Sequence, residues 1–295
     1  MFTTLSGGAA RPLFVAIASG AAAVSLACSS DAGVEASPGR SVEPAAEAAS
    51  IQARLGAPKV ALHVDEAPPT DGHYRTFYNS GTAAVRVSVV NLNGGVLTAG
   101  NERGGGRGHS IRTPRFNPNT GAPRAVVKIL NATATDALNP RTNPFTFGAD
   151  FTLDGLSSST ARGSVDNGDN LMQRGLFNDS SQYKLELDDN VAACRIGGAQ
   201  GAVEVSSSVR MQADRWYRAR CKRLSGSISI SVTFWRANGS AHTVTDTRTG
   251  RTGDMTPDRA SWPLSVGGKL EAAGAVSSAT DQFNGRIDNA ILRIR

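Results

Sequence analysis

Trp216-Tyr-Arg-Ala-Arg-Cys-Lys-Arg223 alternates strictly, with Tyr217, Ala219 and Cys221 on one parity and Arg218 and Arg220 on the other. That period of two is the mark of a β-strand with one buried face. The same alternation runs through Phe145-Thr-Phe-Gly-Ala-Asp-Phe-Thr-Leu153, where Phe145, Phe147, Ala149, Phe151 and Leu153 share a face and Asp150 and Thr152 point away. In Tyr183-Lys-Leu-Glu-Leu187 it puts Tyr183, Leu185 and Leu187 inside and Lys184, Glu186 and Asp188 outside. Ser227 to Trp235 turns Ile228, Ile230, Val232 and Phe234 inward. Further strands are predicted at 60–66, 84–91, 125–130, from Met172, at 264–268 and at 285–294, with Asn93-Gly-Gly95 as a turn that tolerates positive φ. Residues 236–262 read as long polar loops. No long stretch carries helical period, so the chain is all-β with helix only as isolated turns.

Order and chemistry go further than alternation. A tryptophan strand carries one cysteine, Cys221, and an earlier strand, Cys194-Arg-Ile196, carries another. Leu264-Ser-Val-Gly-Gly268 follows, and Phe283-Asn-Gly-Arg-Ile-Asp-Asn-Ala-Ile-Leu-Arg-Ile294 closes the chain. This succession resembles the laminin-G-like branch of the concanavalin-A-like jelly rolls, most strongly after Asp169. The resemblance implies one domain over residues 55–295, a sandwich of two antiparallel sheets whose last strand lies beside its first. It implies a bridge between Cys194 and Cys221. It also implies a glycan held on a sheet face, for which Lys184, Glu186 and Arg218 are the candidate ligand-binding residues. Many similar folds hold a structural calcium ion with an acid after the first strand and one in the last. Glu66 and Asp288 match those places here, with Asp65 as the alternative to Glu66; the competing reading makes Asp65 and Asp288 ordinary strand-end residues that accept backbone hydrogen bonds.

The start of the chain sets the compartment. Arg11 precedes an apolar run, Leu13 to Ala27, too short to span a bilayer, so residues 1–27 read as a signal peptide. Val24-Ser-Leu-Ala27-Cys28 resembles a bacterial lipoprotein cleavage box that would lipidate Cys28, although Ser25 stands where leucine is usual. The alternative is ordinary secretion. The chain has three cysteines, and lipidation of Cys28 would leave Cys194 and Cys221 an even pair in an oxidising compartment. Residues 28–54, rich in Ala, Ser, Glu and Pro, read as a disordered tether.

The chain carries 31 basic against 25 acidic residues, a formal net charge of +6. Export argues against nucleic acid as the partner of a basic domain and toward anionic polymers of the cell envelope, or toward a merely solvated basic face. Catalytic signatures are missing. Retaining β-glucanases on this fold carry Glu-x-Asp-x-Glu, whereas Glu186-Leu-Asp188-Asp189-Asn190 puts asparagine where the acid would stand. The four histidines, His63, His73, His109 and His242, are scattered, no Gly-x-Ser-x-Gly elbow occurs, and Asp166-Asn-Gly-Asp169 reads as a turn without EF-hand spacing. The sequence therefore predicts an exported, monomeric, non-catalytic binding module for a carbohydrate or envelope polymer. Its rivals are a glycan lyase or hydrolase built on Tyr183, Glu186 and Arg218, and an adhesive module that binds protein.

Overall fold

The computed structural model describes residues 56–103, 108–115, 117–155 and 170–295. The signal peptide, Cys28, the tether and the Asp166–Asp169 turn lie outside the described residues. Sixteen strands and no helix are present among the described residues. They are β1 (Val60–Leu62), β2 (His73–Tyr74), β3 (Val85–Leu92), β4 (Leu97–Asn101), β5 (His109–Arg112), β6 (Arg124–Asn131), β7 (Phe145–Leu153) and β8 (Asn170–Arg174). Then follow β9 (Gln182–Asp188), β10 (Val191–Gly198), β11 (Gly201–Arg210), β12 (Trp216–Arg223), β13 (Ser227–Trp235), β14 (Ala241–Thr249), β15 (Leu264–Val266) and β16 (Gly285–Ile294).

Two sheets result. A nine-stranded sheet runs β14-β13-β12-β7-β16-β5-β4-β2, with β1 paired to β16, and a seven-stranded sheet runs β11-β10-β9-β8-β15-β6-β3. Every ladder between named strands is antiparallel. The closing strand does lie beside the opening one, in the register Val60↔Leu292. The fold is the jelly-roll sandwich of two antiparallel sheets that the strand order predicts.

The inward parity of each sheet makes the core. Phe145, Phe147 and Phe151 of β7 are buried, as are Tyr183, Leu185 and Leu187 of β9. The ring of Tyr183 meets Phe147 edge-on at 5.0 Å and Phe145 at 5.4 Å, so the two sheets are joined through aromatic contacts. Cys194 of β10 and Cys221 of β12 are disulfide-bonded with Cα atoms 5.8 Å apart and no exposed surface. Because β10 and β12 belong to different sheets, the expected bridge crosses the sandwich. It staples layers that otherwise adhere through apolar burial.

Local chemistry sets the corners. Asn93 and Gly94 take φ of 51° and 71°, giving the expected turn between β3 and β4. Asp189 and Asn190 do the same at 47° and 65° between β9 and β10. The Glu186–Asn190 stretch is thus a strand end and a hairpin turn. Gly148, at φ 150°, lies where an added Cβ would stand 2.1 Å from the Ala219 carbonyl oxygen, so the close approach of β7 and β12 requires glycine.

Two expectations of strand extent are corrected. The first strand ends at Leu62, because Val64 takes a φ of 52° and turns the chain out of the ladder. Residues 241–249 form β14, paired along its whole length with β13, in place of part of the long polar loop. Its residues Ala-His-Thr-Val-Thr-Asp-Thr-Arg-Thr bear no apolar stripe, since this edge strand is largely exposed. Threonine suits strands by its branched Cβ, a weaker signal than alternating burial.

Candidate functional site

The outer face of the nine-stranded sheet carries a run of charged side chains. From β12 it receives Trp216, Arg218, Arg220 and Lys222, the parity opposite to buried Tyr217, Ala219 and Cys221. From β7 come Asp150 and Thr152, and from β16 Arg286, Asp288 and Arg293. Register sorts these into rows across the strands: Arg218↔Asp150↔Asp288 in one, Trp216↔Thr152↔Arg286↔Arg112 in the next, and Lys222↔Thr146↔Arg293 further along.

Asp150 organises the middle row. Its carboxylate, 5% exposed, accepts hydrogen bonds from Arg218 Nε and Nη2, both at 2.7 Å, from Arg220 Nη2 at 2.9 Å and from Asn289 Nδ2 at 3.4 Å. Hydrogen bonding to Asp150 raises the pKa of Arg218, whereas burial lowers that of Arg220 to about 10 against the pull of the carboxylate. Arg218 also reaches over the Trp235 ring at 5.8 Å, and Arg103 covers the same ring at 4.0 Å.

A bulge in β16 between Asp288 and Ile291 shapes the neighbouring row. There Asn289, at φ 48°, donates its backbone N–H to Asp288 Oδ1 at 2.6 Å and its amide to Asp288 Oδ2 at 2.9 Å, while its Oδ1 meets His63 Nδ1 at 2.7 Å. Asp288 is 6% exposed, and burial, assisted by the charges of Asp150 and Asp65, pushes its pKa up to about 7. Val64 holds His63 and Asp65 in this neighbourhood. A branched residue at positive φ is strained by roughly 1–3 kcal/mol, and the burial of its side chain offsets that.

The expected site residues divide. Lys184 and Glu186 form an ion pair on β9, on the outer face of the seven-stranded sheet, where burial raises the pKa of Glu186. Arg218 lies on the outer face of the other sheet, so the structure does not bring these three side chains together, and the core stands between them. Tyr183 is core, its hydroxyl donating to the Leu138 carbonyl at 3.1 Å, and burial raises its pKa. Of the expected calcium pair, Asp65 acts electrostatically on Asp288, while the Glu66 carboxylate accepts the Tyr78 backbone N–H at 3.1 Å. Among the described residues no group of three or more His, Cys, Asp and Glu side chains is placed to hold a metal ion, so calcium remains an expectation of the sequence.

Several residues of this face escaped sequence reasoning. Asp150 was readable only as an outward residue, and Arg112, Arg286 and Trp216 fall into one row through pairings between distant segments. The available signal was the parity of β12, which lines up tryptophan with three basic residues.

Asp150 and Asp288 are register partners, and a pair of carboxyls is what glycoside hydrolysis uses. Here both oxygens of Asp150 are engaged by arginine, however, and Asp288 is buried under its own hydrogen bonds. Neither is presented to a substrate.

Solved structures similar to this chain include the binding domain of Paraclostridial Mosquitocidal Protein 1, at 12% identity and TM-score 0.49, covering 81% of this chain and 49% of that one. Others are the LG1-3 region of the laminin α2 chain, at 14% and 0.37, covering 51% and 26%, and a protein of unknown function from Shewanella oneidensis MR-1, at 13% and 0.44, covering 88% and 96%. This chain thus spans about half the length of the first. At such identities the likeness concerns the fold alone. No protein-family model matches the sequence, and no curated protein matches it. The chain is a jelly-roll sandwich of two antiparallel sheets.

Proposed function

We propose that the protein is an exported, non-catalytic binding module, anchored through a lipid on Cys28, whose ligand is a carbohydrate or an anionic polymer of the cell envelope. The outer face of the nine-stranded sheet is where that ligand lies. One observation carries the reading: along β12 and β16 basic side chains outnumber carboxyls, and the two carboxyls in their midst, Asp150 and Asp288, are turned to internal partners. The side chains of β12 from Trp216 to Lys222 span roughly 20 Å of strand, which suits an extended chain better than a compact small molecule. Trp216 and Trp235 add flat apolar surfaces beside the charges, of the kind that pack against sugar rings.

A glycan array probed with the purified protein tests this. Retention of acidic glycans that weakens with salt, and weakens further in Arg218→Gln and Lys222→Gln, is the expected result. A protein that binds no glycan or envelope polymer, or that shortens the glycans it meets, would remove the reading.

A further inference from the structure

We propose that the row Trp216, Thr152, Arg286 and Arg112 forms a subsite for a single sugar carboxylate, so that the ligand class is an acidic glycan bearing uronate-type groups. This deepens the binding-module reading and rests on it.

Thr152 is fully buried and its Oγ1 has no hydrogen-bond partner, and Arg286 Nε is buried and likewise unpartnered. Buried polar atoms in native proteins are nearly always satisfied, and these two, of five unpartnered buried side-chain atoms among the described residues, stand opposite each other on β7 and β16. Their surroundings are built. Arg286 stands opposite both Thr152 and Arg112, and its guanidinium carbon lies 5.8 Å from the centroid of the Trp216 ring, so the side chain leans across Thr152 toward the indole. Gly100 gives it room, since a Cβ there would come within 2.8 Å of Arg286 Cδ. Arg112 is fixed by two hydrogen bonds to Asp154, at 3.2 and 2.6 Å.

Beside this row opens a cleft of about 470 Å³ lined by Arg112, Arg115, Asp154, Asp214, Asn284 and Arg286. Among the described residues no carboxylate forms an ion pair with Arg115 or Arg286. The planar fork of a guanidinium matches a carboxylate, and the indole face beside it suits the C–H face of the sugar that carries the carboxylate. Charge selects further. Asp154 and Asp214 also face the cleft, so a singly charged carboxylate is repelled less than a doubly charged phosphate, while their oxygens can accept from sugar hydroxyls.

The test uses oligogalacturonate and its methyl ester, which keeps the sugar shape and removes the charge, with calorimetric titration of the purified protein. The acid form should bind about 10-fold tighter than the ester or more, and Arg286→Gln should remove that preference. Arg115→Gln, at an exposed position, guards against misfolding and should weaken acid binding several-fold. Equal affinity for acid and ester, unchanged acid binding in both variants, or displacement by inorganic phosphate as strong as by free galacturonate would each overturn the subsite. If neutral glycans bind and the acid forms do not, only this inference fails. If no glycan binds at all, the reading beneath it fails with it.

Discussion

Removing one charge, Asp150→Asn, should cost the protein about 3 kcal/mol. The carboxylate of Asp150 is the counter-charge of Arg220, whose side chain is 17% exposed, and breaking a buried pair by deleting one partner typically costs about 3–5 kcal/mol because the other charge is left uncompensated. Asparagine keeps the shape and one acceptor oxygen, which places the expectation at the low end. A smaller contribution of opposite sign comes from Asp288, which loses a like-charged neighbour. Arg218 provides the internal control. Its bidentate bond to Asp150 is shorter still, at 2.7 Å against 2.9 Å, but its side chain is 43% exposed, so Arg218→Met should cost only about 1 kcal/mol or less. Urea denaturation followed by tryptophan fluorescence measures both, and calorimetry should show a Tm lowered by roughly 6–12 °C for Asp150→Asn in a domain of this size. A cycle with Arg220→Met should give a coupling of about 1.5 kcal/mol or more. If Asp150→Asn stays within about 0.5 kcal/mol of the parent, or costs no more than Arg218→Met, burial does not decide the strength of this network.

The bridge between Cys194 and Cys221 encloses a sequence separation of 27 residues. Its loss by reduction or by a double Cys→Ala change should cost about 3–4 kcal/mol; alkylation of both thiols in the unreduced native or denatured protein would contradict it. Stability should also depend on pH through Asp288. Its folded pKa of about 7 lies above the unfolded value of about 3.9, so the group favours the folded state fully below about pH 4, and that stabilisation is lost as pH rises toward 7. The ceiling is about 4 kcal/mol. In chelator, Asp288→Asn should flatten the urea midpoint between pH 4 and 7, and an unchanged slope in the variant would show that other groups set it.

Much of the sandwich was legible because strand alternation is local. Parity alone told which side of β7, β9, β12 and β13 is buried, since side chains of a strand leave on opposite faces whatever it pairs with. The resemblance in strand order also implied the Cys194–Cys221 bridge and the closing strand beside the first. Parity cannot say which sheet a strand joins. Lys184, Glu186 and Arg218 all read outward and so looked like partners, yet β9 and β12 lie in different layers, and outward then means opposite directions. Strand β14 was lost for a related reason: an exposed edge needs no apolar stripe.

What the amino-acid sequence by itself determined is an all-β chain, its buried parities, and a line of tryptophan and basic residues along β12. Only the tertiary structure decided that Asp150 meets Arg218, Arg220 and Asn289, and that Trp216, Thr152, Arg286 and Arg112 fall into one row. Those neighbours come from β5, β7, β12 and β16, segments up to some 170 residues apart, whose register depends on the β16 bulge and on ladders between distant strands. Pairing of that kind is fixed by the packing of the whole sandwich, which no local pattern encodes.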